Sequence, residues 1–205
     1  MTPTTVQRWV IRIAPGLLVL AGCGCGLGDY EQKMLEEQQR VGHIDKENKE
    51  LADRPLEVPT GQSLDLFLRP PRGISVQPEA KTDRPGFYLY KGDANTGNVY
   101  VGWAGKEKDF KDKVWSAFGK GTPGTLKTEP WGWDGVDLDT MTVEEANRTF
   151  HIYLTPGNRM ALIYEVPKAG KLSPDALKAS LNTLALDADA AKLRSEHNKR
   201  RKAAK

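Results

Sequence analysis

The chain has 205 residues, 39% hydrophobic and 28% charged, which is enough for one domain with a hydrophobic core. Its only cysteines are Cys23 and Cys25, which excludes a disulfide framework, a thiolate metal site or a catalytic thiol in the rest of the chain. The formal net charge of +3 is segregated, because residues 192–205 hold seven basic residues and one glutamate while residues 23–191 are net acidic.

The N-terminus has the pattern of an export signal. Arg8 and Arg12 precede a short apolar run over residues 13–21, and no acidic residue occurs before Asp29. Such a run is too short to span a bilayer, which needs about 20 apolar residues. A positive start, a short apolar stretch and small residues are typical of a signal peptide, predicted here over residues 1–22. The alternative is an ordinary buried segment.

The end of the apolar run, Leu20-Ala21-Gly22-Cys23, resembles the lipobox of bacterial lipoproteins. This resemblance implies cleavage before Cys23 and transfer of diacylglycerol and fatty acids such as palmitate to that residue. Stable anchoring takes more than one acyl chain, which this modification supplies. Gly24, in place of an aspartate, implies the outer rather than the inner membrane under the rule of enteric-type bacteria. The resemblance therefore predicts a cell-envelope protein that faces the periplasm.

Residues 23–62 are predicted to form a lipidated leader, a helical stalk and a linker. Between residues 29 and 53, apolar side chains follow one heptad frame for at most three heptads, with Glu37 and Asn48 as polar exceptions. One interpretation is an oligomerising stalk with register set by Asn48. The other, favoured by the short length, is a solvated helix whose thin stripe rests on the body or on nothing. Arg54-Pro55 predicts the end of the helix, and residues 54–62 a proline-spaced linker.

Residues 63–186 are predicted to form an α+β domain with a largely antiparallel sheet and two packed helices. The strand patterns lie at residues 64–68, 87–91, 99–103, 149–155 and 160–166, and the helix patterns at residues 108–118 and 174–184. Ser173-Pro174 is typical of a helix start. Residues 119–135, rich in glycine and proline, are predicted to be a long loop. Residues 187–205 are predicted to be a polar helix that frays into a basic tail.

The order of these elements resembles Mog1/PsbP-like α/β sandwich domains over residues 63–186. The likeness rests on a proline-bounded first strand with Gly73-Ile74-Ser75, on an Asp109-Phe110 helix after a hairpin, and on a final hairpin that leads to a closing helix. It implies a binding or assembly module without catalysis, although a fold alone does not determine function.

Two acidic motifs are candidate ligand sites. Asp93-Ala94-Asn95-Thr96-Gly97 matches half of a calcium loop, but Asn98 and Ala104 stand where such a loop needs glycine and glutamate, which favours a hairpin turn. Trp131 and Trp133 lie near Asp134, Asp137 and Asp139. Tryptophan faces beside carboxylates suit a sugar or a cation. The alternative, that a tryptophan closes one end of the core, is favoured because aromatic rings dominate core packing.

Catalytic motifs are missing from the sequence. His151 is the one imidazole of the body, and the chain has neither a Gly-x-Ser-x-Gly nucleophile motif nor a phosphate-binding glycine loop. A hydrolase would need a serine and a carboxylate brought to His151 by the fold. We therefore expect no catalytic residue, no metal and no cofactor.

The basic tail has two interpretations. Export removes most nucleic-acid partners, so an anionic lipid or a cell-wall polyanion fits the tail better than a nucleic acid does, and a solvated terminus is an equally favoured alternative. The sequence as a whole predicts a lipid-anchored, non-enzymatic module that binds an envelope protein or polyanion. The alternatives are a small-ligand or glycan-binding lipoprotein that uses Trp131, Trp133 and Asp134, and more remotely a hydrolase at His151.

Overall fold

The computed structural model describes residues 34–35, 49–62, 64–105, 108–132, 135–170 and 172–203. The signal peptide, Cys23 and most of the predicted stalk lie outside the described residues. The chain divides into two compact units, residues 1–43 and 44–205. In the first unit, Met34 and Leu35 are helical with exposed side chains. The second unit contains all the strands of the described residues.

The described residues confirm the α+β class. The helices are α1 (Phe110–Phe118), α2 (Pro174–Asn182) and α3 (Asp187–Ala203). The strands are β1 (Leu66–Phe67), β2 (Phe87–Lys91), β3 (Asn98–Trp103), β4 (Thr122–Pro123), β5 (Lys127–Trp131), β6 (Val136–Glu144), β7 (Arg148–Leu154), β8 (Met160–Pro167) and β9 (Ala185–Leu186). The main sheet has the order β2-β3-β8-β7-β6-β4, β5 also pairs with β6, and every pairing is antiparallel.

The predicted long loop over residues 119–135 is wrong. This segment holds β4 and β5, and it leads into the nine-residue β6, which the sequence analysis missed. Glycines and prolines suggested a loop, yet Pro130 lies in β5, where a strand edge tolerates its missing N–H. The amide of Gly124 donates to the carbonyl of Thr142, which ties the segment to β6.

The predicted first strand, residues 64–68, is shortened to β1 and does not join the main sheet. It pairs with β9 in a separate two-stranded sheet. Leu66 and Leu68 enter the main core, while Phe67 packs with Ala185 and Ala190 of the C-terminal part. Both sides of this strand are therefore buried, which explains why its alternation does not mark a surface strand.

Each face of the main sheet carries its own apolar layer. On the α1 face, Phe110, Val114 and Phe118 pack on residues such as Phe150. On the α2 face, the layer includes Leu177 and other leucines from α2 and from residues 56–68. The predicted cap of α2 is confirmed, because the hydroxyl of Ser173 accepts a hydrogen bond from the amide of Ala176 at 3.0 Å.

The segment predicted as a linker packs on the body. Leu56 of this segment is buried, and its amide donates to the carbonyl of Leu68 at 2.8 Å; Leu51, just before the segment, is buried as well. Leu51 forms an isolated bridge with Pro71, so the predicted helix ends before Arg54-Pro55. At the other end of the chain, α3 continues to Ala203 where the sequence predicted fraying.

Candidate functional site

A polar cleft of about 370 Å³ opens on the α2 face, at the β5–β6–β7 end of the sheet. Lys127 faces Thr140 across β5 and β6, and Thr140 faces Tyr153 across β6 and β7. Because side chains alternate along a strand, all three project to the same face. The cleft lining is Gly124, Thr125, Lys127, Glu129, Thr140, Met141, Thr142, His151 and Tyr153. Helix α2 and residues 56–68 pack elsewhere on this face and contribute no residue to that lining.

The floor of the cleft joins the polar groups to the apolar core. His151 Nδ1 lies 3.5 Å from the hydroxyl oxygen of Thr142, and Tyr153 contributes an almost fully buried ring. Tyr153 meets Trp131 and Tyr164 edge-to-face, with ring centroids 6.2 and 6.1 Å apart. These contacts pack the Tyr153 ring against the apolar layer of the α2 face.

Burial keeps two titratable groups of the floor uncharged near neutral pH. Desolvation lowers the pKa of His151, which favours the neutral imidazole. Desolvation and the nearby charge of Glu129 raise the pKa of Tyr153 above its ordinary value, so its hydroxyl stays protonated. The cleft therefore offers neutral donors and acceptors with one lysine and one glutamate at its sides. This combination suits a ligand rich in hydroxyl groups rather than one of strong single charge.

Trp131 belongs to the core more than to the cleft. Its half-buried indole packs against the α2-face layer and does not line the cleft. In the pairing of β5 with β6, Asp137 lies opposite Pro130 and Asp139 lies opposite Thr128. Pro130 is one position away from Trp131 along the strand, so both aspartates project to the face opposite that of Trp131. The Thr128 hydroxyl donates to Asp139 at 2.7 Å. Among the described residues the tryptophan and aspartates do not converge; Trp133 and Asp134 lie outside them.

The Asp93 motif is a hairpin turn. One carboxylate oxygen of Asp93 accepts hydrogen bonds from the amides of Asn95 and Thr96 and from the Thr96 hydroxyl, at 2.7 to 2.8 Å. The bonds from Thr96 and Asn95 lower the pKa of Asp93, so the charged carboxylate caps its own turn. Where residues are described, no group of three or more His, Cys, Asp or Glu side chains is placed to hold a metal ion.

His151 is the one residue of this cleft that the sequence analysis selected. The lining found in the structure includes no serine, cysteine or aspartate, so a serine triad around His151 has no support there. Thr140 and Thr142 were missed, although residues 136–143 alternate as a strand with both threonines in one phase. That alternation is the signal that could have placed them beside His151.

The described residues contain no helix with both the length and the apolar character needed to cross a membrane. Comparison with known protein families and with curated proteins found no match to this chain.

Proposed function

We propose that the chain is an envelope lipoprotein, anchored through lipid on Cys23, whose body is a non-enzymatic binding module. The observation that carries this proposal is the motif Leu20-Ala21-Gly22-Cys23 at the end of a short apolar run that follows Arg8 and Arg12. Both cysteines of the chain lie at this one place, which fits a thiol used for attachment. The body faces the periplasm, and Gly24 favours the outer membrane.

Metabolic labelling with a tagged fatty acid tests the anchor, and Cys25 provides a matched control two residues away. Label enters the wild-type protein and the Cys25→Ser variant, and it is lost in Cys23→Ser, which also leaves the membrane fraction. Label that survives Cys23→Ser, or that never enters the wild-type protein, overturns the proposal. Density-gradient separation of the membranes tests the location, since Gly24→Asp moves the protein toward the inner membrane.

The polar cleft supports a second candidate function, the binding of a small polar ligand such as a sugar. Its specific support is the open floor formed by Thr140, Thr142, His151 and Tyr153, where neutral hydrogen-bonding groups adjoin an aromatic ring. Small-ligand sites in proteins typically combine a largely preformed concave surface with a few placed hydrogen-bonding groups. An envelope protein or polyanion, which is the partner in the primary proposal, can bind to the body without a pocket of this kind.

Calorimetric titration with a panel of soluble sugars separates the two candidates. Thr142→Val removes a hydroxyl from the cleft, whereas Thr128→Val makes the same change on the other face of the neighbouring strand. Binding that is weakened about tenfold or more by Thr142→Val and unchanged by Thr128→Val supports the cleft, as expected for one lost hydrogen bond to a buried partner. Equal effects, or no binding of any sugar, count against it.

A further inference from the structure

From Lys192 onward, α3 presents a concentration of positive charge to solvent. Three lysines lie on one side of the helix because their spacing is i, i+7 and i+10: Lys192, Lys199 and Lys202. Arg200 lies beside them, and all four side chains are exposed. None of the four forms an ion pair with another described residue. These four residues define the basic face of α3.

This charge is carried by a fixed element and not by a loose terminus. On its inner side, α3 buries Ala190, and His197 packs edge-to-face on Phe67 with ring centroids 6.1 Å apart. Arg194 makes a two-pronged ion pair with Asp65. Because the helix is already ordered, a partner that binds the basic face does not have to supply the ordering free energy of a flexible tail.

The basic face lies close to Asp53 and Arg54, which belong to the first described segment of the second unit. The Nε2–H of His197 donates to the carbonyl oxygen of Asp53 at 2.8 Å. Arg54 and Arg201 line one cavity of about 540 Å³ between this segment and α3. Asp53 stands thirty positions after Cys23 in the sequence. Asp53 and Arg54 thus lie beside α3, and Arg54 adds a further exposed positive charge there.

We propose that the basic face of α3 docks on the anionic phospholipid surface of the membrane that holds the lipid anchor, and so orients the body. The inference rests on the proposed function, because the anchor at Cys23 keeps the face within reach of that surface. Each basic residue near an anionic membrane strengthens partitioning about fivefold. A lipid anchor and a basic patch together give an attachment that neither provides alone.

Vesicle co-sedimentation of the full chain carrying Cys23→Ser tests the surface without any lipid anchor. The vesicles contain phosphatidylcholine alone or mixed with phosphatidylglycerol. The test variant replaces Lys192, Lys199, Arg200 and Lys202 by glutamine. The matched control replaces four exposed lysines elsewhere in the second unit by glutamine, with the same change in net charge: Lys81, Lys91, Lys120 and Lys178. The apolar N-terminal run is identical in all of these proteins.

We expect the parent protein to prefer the anionic vesicles, with the preference weakened at high salt. The α3 variant loses this preference more than tenfold, whereas the control loses less than threefold. Equal losses in the two variants, no preference for anionic vesicles, or stronger competition by a soluble cell-wall polyanion than by vesicles would overturn the inference. Its failure is distinguishable from failure of the lipid anchor, because fatty-acid labelling reports on Cys23 while this protein carries serine there.

Discussion

Arg194 and Asp65 form a two-pronged ion pair that fastens α3 to the chain entering β1. The two terminal nitrogens of Arg194 lie 2.8 and 2.9 Å from the two carboxylate oxygens of Asp65, and one of them also donates to the Leu66 carbonyl. Both side chains are about two-thirds buried. Planar arginine and carboxylate groups match in this geometry, which makes such pairs stronger than single contacts. The pair therefore explains how a highly charged segment stays an ordered part of the body.

We predict that Arg194→Gln lowers the free energy of unfolding by about 1–2 kcal/mol, because the variant loses the paired contact and leaves Asp65 and the Leu66 carbonyl without it. Urea denaturation followed by circular dichroism measures this change. Arg159→Gln is the control, because Arg159 pairs at 3.5 Å with Asp187, the first residue of α3, and both side chains are half-exposed. Its effect is within about 0.5 kcal/mol. Similar losses in the two variants would contradict the special role of Arg194.

Glu165 is the centre of a buried polar network on the α1 face. It accepts hydrogen bonds from Asn98 at 2.9 Å, from Tyr100 at 3.0 Å and from Arg148 at 2.7 Å. Burial alone disfavours the charged carboxylate, but these three hydrogen bonds outweigh it and hold the pKa of Glu165 below its ordinary value. The carboxylate is therefore ionised in the folded protein and stabilises it.

We predict that Glu165→Gln lowers the free energy of unfolding by about 2–3 kcal/mol at neutral pH, since charge-assisted hydrogen bonds are lost in a buried site. Because the pKa of Glu165 is lower when folded, its contribution is fully present above the unfolded value near 4.5 and disappears as pH falls through the folded value. The difference between wild type and variant therefore shrinks in acid. Glu144→Gln, at an exposed pair with Lys168, changes stability little. A difference that does not change with pH would refute the prediction.

The sequence predicted the elements whose pattern agrees with their final environment. The β7–β8 hairpin combines two apolar, β-prone runs with turn residues between them, while α1 and α2 each have one apolar side and cap residues. Each of these elements is found within a few residues of its predicted place. The prediction failed where contacts between residues distant in the sequence determine which side chains are buried or brought together. Leu56 is buried in the apolar layer of the α2 face, beside the Leu68 backbone to which its amide bonds, and no local pattern indicates that burial. The cleft was not predicted for the same reason, because β6 lies between the strands that carry Lys127 and His151 and its pattern was not recognised in the sequence.

A buried hydrogen-bond chain links α2 to the sheet and provides a third prediction. The hydroxyl of Ser180 donates to the Arg69 carbonyl at 2.6 Å, so the hydroxyl of Tyr164 donates to Ser180, 2.8 Å away. Both side chains are fully buried. Ser180→Ala is expected to lower the free energy of unfolding by about 1–3 kcal/mol, because it leaves the Tyr164 hydroxyl unpaired. Ser116→Ala, at an exposed hydroxyl, is the control.

A double-mutant cycle separates this hydrogen bond from simple loss of volume. In the Tyr164→Phe background the buried hydroxyl is gone, so Ser180→Ala costs less than it does in the wild-type protein. The coupling between the two changes is expected to be about 1 kcal/mol, measured by urea denaturation of all four proteins. Strictly additive effects would show that the two hydroxyls do not interact.

His151 gives the stability of the folded protein a pH dependence opposite to the one that a histidine in a salt bridge gives. Burial lowers the pKa of His151 below its unfolded value of 6.5, so the unfolded chain takes up a proton more readily than the folded one. Stability therefore falls as pH decreases from about 7 to about 5.5, where the carboxylates still contribute little. Burial also lowers the pKa of His197, and the comparison is made in a His197→Gln background to remove that contribution. There, adding His151→Gln flattens the decline in the free energy of unfolding. An unchanged slope would mean that His151 takes up its proton equally well in the folded cleft, which requires solvent or a carboxylate at the imidazole.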